Sequence, residues 1–165
     1  MSTNVEVQLL TPDDWGRVRR LRLASLRQNP EAFGGSFDAE SEWTEMQWRE
    51  CFSKVDYVVA VSQGMDVAIM SVEVLDGDFG ATCWIGGCWS DPMVRGTGVF
   101  REMMKFVDDH AASRGWHVQG LGVWTANSNA IGAYRQLGFT QVGDEVASTW
   151  HPGQTYIRMI RKSAL

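Results

Sequence analysis

Residues 91–104 read DPMVRGTGVFREMM. In their middle, Arg95-Gly96-Thr97-Gly98 sets two glycines beside a cation, immediately before a helical pattern. From there on the period is that of a helix. Phe100, Met103, Met104, Val107 and Ala111 recur at i, i+3, i+4, i+7 and i+11 and predict one apolar face. Glycine lets the backbone turn where a Cβ would obstruct it. A helix start exposes unpaired N–H groups and the positive end of the macrodipole, which together make an anion site. Arg95 adds a charge-assisted donor. The plainer alternative is a glycine-rich turn that only caps the helix. Two better-known loops fail: no Gly-Lys-Ser/Thr is present for a nucleotide P-loop, and the dinucleotide fingerprint lacks its third small residue and following acid.

Upstream of this stretch, VEVQLL alternates as a strand. Thr11, Pro12 and two acids then open a helix over Trp15–Arg27, with Val18, Leu21 and Leu26 toward a core. NPEAFGG breaks it, and a second helix is expected from Ala39 to Phe52, carrying Trp43, Met46 and Trp48. YVVAVS and VAIMSVEVL are strands around the turn QGMD. ATCWIGGCWS then runs extended into the opening stretch, with a bulge at Gly86-Gly87.

Downstream, Gly115 closes the helix after Arg114. HVQGLGVW is a strand, NSNAIGAYRQLG a short helix closed by Gly138, and FTQVGDEVAS and TYIRMIRK are two final strands around a turn at His151-Pro152-Gly153. Antiparallel strands followed by strand, helix, strand require a parallel pair. The expected class is an α/β fold with a mixed, largely antiparallel sheet.

Length and charge bound the function. One domain over residues 1–165 is expected, since no linker, repeat or low-complexity tract divides the chain. A net charge of −5 disfavours nucleic acid and anionic membranes as partners and fits a cationic small molecule better. No apolar run approaches the ~20 residues that span a bilayer, and MSTNVEVQLL lacks a signal peptide's layout. Cys51, Cys83 and Cys88, odd in number and without CxxC spacing, read as reduced thiols of a cytoplasmic protein and argue against a zinc site. Asp108-Asp109-His110 diverge by about 100° per residue on a helix, so they cannot converge on one metal.

A second stretch, NSNAIGAYRQLGF, places Asn127, Ala130, Tyr134, Gly138 and Phe139 in register just after a strand. On a helix, Asn127, Ala130 or Ile131, and Tyr134 share a side. With Arg95-Gly96-Thr97-Gly98-Val99-Phe100 after Ser90-Asp91-Pro92, it resembles the paired motifs of the GNAT superfamily of N-acetyltransferases. RLRLASLRQNPEAFGGS resembles the first-helix region of many bacterial members. The resemblance implies a central sheet of about seven strands flanked by about four helices, with a splayed parallel pair in the middle. It implies acetyl-CoA as cosubstrate and no metal, with amides from Gly96 to Phe100 cradling the pyrophosphate and Arg95 and Thr97 assisting. The main chain of Cys88, Trp89 and Ser90 would pair with the pantetheine arm, and Asn127 would bond it. Members of the family often form homodimers.

The same resemblance assigns Tyr134 as general acid toward the departing thiolate, against the alternative of a tyrosine that only packs its helix. Backbone donors at Cys88–Trp89 would hold the oxyanion. Two departures stand out. The family's carboxylate positions fall here on Thr82 and Gly122, neither of which takes a proton; Glu73 on VAIMSVEVL or a water chain is left as base. Phe100 stands where the family has Gly or Ala. No histidine lies close in sequence to activate Cys88, so transfer without an acetyl-enzyme is expected. Trp43, Trp48 and Trp124 are candidate walls of an acceptor pocket. The expected activity is acetyl transfer to a primary amine of a small molecule or a protein amino terminus. A non-catalytic acyl-CoA sensor and a purely structural subunit are the rivals.

Overall fold

A computed structural model describes residues 4–164. The strands are β1 (Glu6–Leu9), β2 (Asp56–Ser62), β3 (Met65–Val74), β4 (Cys83–Ser90), β5 (Val118–Trp124), β6 (Thr140–Ala147) and β7 (Thr155–Lys162). The helices are α1 (Trp15–Gln28), α2 (Phe37–Ser41), α3 (Glu45–Cys51), α4 (Val99–Asp109), α5 (Ala111–Arg114) and α6 (Ser128–Gln136). The sheet order is β1-β2-β3-β4-β5-β7-β6. The β1–β2, β2–β3, β5–β7 and β6–β7 ladders are antiparallel, and β4–β5 is parallel. This is the mixed α/β class expected, with six α-helices rather than about four. The chain divides into two compact units, Met1–Glu73 with Gly87–Phe106, and Val74–Gly86 with Val107–Leu165.

In the first unit, Thr11 N–H donates to Asp14 Oδ2 at 2.9 Å and fixes the turn that leads into α1. The helix buries Val18, Leu21, Leu23 and Leu26, each 9% exposed or less. Each such side chain contributes roughly 1.5–3 kcal/mol by leaving water. They pack with Trp48, Val59, Ile69 and Trp89 in one cluster. Asn29 ends the helix, and Pro30 after it disfavours continuation.

The second helix is broken. Thr44 starts α3 afresh: its N–H donates to Gln47 Oε1 at 2.8 Å, and Gln47 N–H returns a bond to Thr44 Oγ1 at 3.3 Å. This reciprocal cap, spelled T-E-M-Q, outweighs continuity of the apolar pattern. The apolar face after the glycine loop is the expected one at Met103, Met104, Val107 and Ala111, and differs only at its start. Val99 is 3% exposed while Phe100 is half-buried, so Val99 rather than Phe100 opens the buried stripe of Met103, Met104 and Val107. The helix itself stops at Asp109. His110 leaves helical geometry before the single turn of α5, which Gly115 ends at φ 77°.

In the second unit, β7 lies between β5 and β6, pairing Leu121 with Met159 and Thr140 with Ile160. The parallel ladder pairs Cys83 with Gln119 and Trp84 with Gly120 and stops there, while β4 and β5 each continue. Gly120 is a close approach: a Cβ there would lie 2.6 Å from the indole of Trp84. Arg161 on β7 joins this unit's elements. It donates to Asp108 at both carboxylate oxygens and to Gln119 Oε1, each at 2.7 Å, and its Nε reaches Leu137 O at 2.7 Å. Asp108 is thus held by an arginine.

Candidate active site

Strand β4 ends in a fixed corner of the first unit. Gly87 takes φ 56°, a left-handed bend inside the strand at the place where a bulge is expected. Asp91 N–H donates to Val67 O at 2.8 Å, and the Asp91 carboxylate accepts from Met93 N–H at 2.9 Å, so Asp91 serves the turn. Arg95 turns back. Its Nε donates to Ser90 O at 3.1 Å and its Nη2 to Asn29 Oδ1 at 3.2 Å, which pins the loop to the end of β4 and the end of α1. The Thr97 hydroxyl donates to Val94 O, and its N–H reaches the same carbonyl at 3.2 Å.

What is left exposed is backbone. Gly96 and Gly98 have φ of 77° and 89°, values that only glycine holds without strain, and a Cβ at either would meet nothing within 4 Å. The first bond of α4 runs from Glu102 N–H to Gly98 O at 3.2 Å. The N–H groups of Gly96, Gly98, Val99 and Phe100 therefore have no partner among the described residues. An eleven-residue helix points its positive end at the same open space. Four unpartnered donors around a glycine turn at a helix start suit a diphosphate. From Cys88 to Ser90 burial deepens: Cys88 is half-buried, while Trp89 lies in the apolar cluster and Ser90 is buried.

Beside this corner the same unit holds a cavity of about 200 Å³, lined by Arg22, Glu40, Trp43, Trp48, Tyr57 and Gly87 among others. Glu40 is 6% exposed. Arg22 clasps it, Nε to Oε1 at 2.9 Å and Nη2 to Oε2 at 3.2 Å. The chain passes so close that a Cβ on Gly35 would lie 1.8 Å from Glu40 Oε2. Trp43 and Trp48 meet with ring centroids 4.9 Å apart, and Tyr57 meets Phe52 edge-on at 4.9 Å. Burial holds the Tyr57 phenol protonated well above its usual range, and Cys51 beside it adds to the rise. Two of the three tryptophans expected at an acceptor pocket are thus on its wall. The third, Trp124, packs edge-on against His151 and Tyr156 in the second unit. The Arg22–Glu40 pair was not legible, because its partners sit on separate helices.

Glu73 is exposed on β3, two residues beyond Ser71 on the strand face whose Ile69 and Ser71 line the cavity. In the second unit, Thr82 Oγ1 donates to Gly115 O at 2.7 Å and accepts from Val118 N–H at 3.1 Å, a structural duty. A Cβ on Gly122 would sit 3.6 Å from Tyr156 and 3.9 Å from Trp84. Asn127 caps α6: its Oδ1 accepts from Ala130 N–H at 3.2 Å, and its Nδ2 has no partner among the described residues. Tyr134 lies two turns on, half-buried, its ring edge-on to Phe139 at 5.8 Å. Residues 127, 130, 131, 134 and 137 form the half-buried stripe of this helix.

The acetyltransferase (GNAT) family model matches residues 20–139. A GNAT-family acetyltransferase from Streptococcus pneumoniae superposes with a TM-score of 0.76 at 14% identity, over 96% of this chain and 99% of the other. The yncA protein of Salmonella typhimurium, solved with its cofactor acetyl-CoA, gives 0.73 at 16%, over 99% and 96%. The spermidine N-acetyltransferase of Vibrio cholerae, in complex with CoA and spermine, gives 0.73 at 14%, over 97% and 96%. At such identities the likeness is one of fold. Among curated proteins none matches the sequence.

Proposed function

Because the chain belongs to the acetyltransferase (GNAT) family, we propose that it moves the acetyl group of acetyl-CoA directly to a primary amine. The observation that carries this is the set of four unpartnered amides at Gly96, Gly98, Val99 and Phe100, where the positive end of α4 meets open space. They suit the pyrophosphate, and Arg95 holds the loop in shape through Ser90 and Asn29 while its Nη1 is left to assist at the phosphates. The main chain of Cys88, Trp89 and Ser90 would pair with the pantetheine amides, and the free Nδ2 of Asn127 would donate to the same arm.

In the reaction the amine nitrogen attacks the thioester carbonyl, backbone donors at Cys88–Trp89 stabilise the oxyanion, and the C–S bond breaks. The thiolate takes a proton from Tyr134, and the amine's proton leaves to Glu73 or to water. With Thr82 committed to Gly115 and Val118, and Gly122 bare, no carboxylate stands at the family's usual positions. This absence favours one rival, a non-catalytic acyl-CoA sensor of the same fold. We assign the chain to the cytoplasm on its three cysteines, none of which is joined in a disulfide among the described residues. No described helix is long and apolar enough to cross a membrane.

The test is release of free CoA thiol from acetyl-CoA with a panel of amines, beside calorimetric titration with CoA. A transferase binds CoA and releases thiol faster with an amine. A sensor binds without acceleration, and absence of CoA binding overturns both.

A further inference from the structure

Taking the transferase reading as given, the geometry points to an acceptor class: we propose that the cavity beside Gly87 takes a compact aminoacyl compound, with a bulky apolar side chain among the aromatic rings and its carbonyl or carboxylate oxygen on Arg22 Nη1.

Three observations converge. Arg22 spends Nε and Nη2 on Glu40, and its Nη1 has no hydrogen-bond partner among the described residues. That nitrogen is 3.9 Å from where a Cβ on Gly87 would stand, which puts its remaining donors beside the bend of the strand read as the thioester's seat. A clasped, oriented guanidinium loses little freedom on accepting an oxygen. Second, the wall is aromatic. Trp43, Trp48 and Tyr57 surround about 200 Å³; a dry cavity of about 150 Å³ already accepts a benzene ring. An apolar group of that size fits, and a long chain does not.

Third, the charge is balanced. Glu40 is the sole carboxylate among the lining residues, and both its oxygens are on Arg22. A polyamine brings further ammonium groups that would find no free carboxylate there and would face a guanidinium. The ligand's polar end must therefore accept hydrogen bonds. An α-amine beside a carbonyl places nucleophile and anchor together.

The experiment compares L-phenylalanine, L-phenylalaninamide, phenethylamine and spermidine, by thiol release and by quenching of tryptophan fluorescence in the CoA-loaded protein. The first two distinguish a free carboxylate from a carbonyl as the anchor. Arg22→Met/Glu40→Met removes the ion pair as a unit and avoids leaving a buried charge alone; its folding is checked by Tm and CoA titration. Comparing preferences between the two proteins cancels differences in amine basicity.

The expected result is that L-phenylalanine or its amide outperforms phenethylamine in kcat/KM, and that the double variant reduces this preference by about tenfold or more while CoA affinity holds. Saturable quenching by either without thiol release keeps the acceptor site and overturns the transferase reading. Preference for spermidine or phenethylamine, an undiminished preference in the double variant, or no saturable quenching by either amino compound overturns the inference and leaves cofactor binding untouched.

Discussion

Arg161 and Asp108 face each other as two parallel forks, Nη1 to Oδ1 and Nη2 to Oδ2, both at 2.7 Å, with the arginine 13% and the aspartate 8% exposed. The pair ties the end of α4 to β7, and through Gln119 and Leu137 it also holds β5 and the end of α6. Removing one partner leaves the other charged and unpaired. Arg161→Met is expected to cost about 3–5 kcal/mol, and Arg161→Met/Asp108→Leu to recover most of that. Urea denaturation of both variants decides it; equal losses would show that the pair's packing matters and its charge does not.

Gly98→Ala asks a backbone to hold φ near 89° with a Cβ and projects that methyl into the space in front of the loop amides. The strain costs about 1–3 kcal/mol. If a diphosphate occupies that space, CoA affinity should fall about tenfold or more in calorimetry, beyond what the lower Tm explains. Unchanged affinity would remove the loop from the binding site.

Tyr134→Phe keeps the ring that packs on Phe139 and deletes only the hydroxyl. Loss of a general acid predicts a fall in kcat of about 100-fold or more with CoA affinity and Tm nearly unchanged. Unaltered turnover would return Tyr134 to a packing role.

Burial pushes the Cys83 thiol from 9.0 up to about 12. The folded state thus holds a proton that the unfolded chain releases near pH 9. The unfolded state binds fewer protons between these values, so stability is unaffected below about pH 9 and falls as pH rises toward 12. Tyr57, also pushed up by burial, steepens the same fall. Cys83→Ala should flatten part of the alkaline slope in denaturation series from pH 8 to 11. Native protein at pH 8 should be alkylated at half-buried Cys88 before Cys83.

Asn127→Ala deletes the cap on Ala130 N–H along with the free Nδ2. It is expected to lower stability by about 1 kcal/mol and also weaken CoA binding. Asn127→Asp, which keeps the capping oxygen but loses the donor, should spare Tm and still weaken CoA in titration.

How far the chain could be read without its fold depended on how local each decision is. Glycines at 96, 98, 115 and 138 announce left-handed turns because the requirement lies in the residue itself. Strand β7 matches TYIRMIRK residue for residue, since alternation over eight positions is a property of consecutive side chains. The Asn127-to-Tyr134 stripe follows from helical spacing in the same way. The Thr44 cap was also present locally, in T-E-M-Q, but an apolar pattern running across it hid the break.

The rest had no local spelling. Arg22 meets Glu40 across 18 residues and Arg95 meets Asn29 across 66, so neither pairing exists until helices and loop are packed. Arg95 stood in a loop motif as a ligand donor, and packing gives it a further duty as a strut between Ser90 and Asn29. Sequence alone determined where the backbone turns and which amides a helix start must expose, because φ preference and periodicity act over a few neighbours. Only the tertiary structure decided which side chains those amides would have for company, because burial and ion pairing depend on distances in space that chain order does not record.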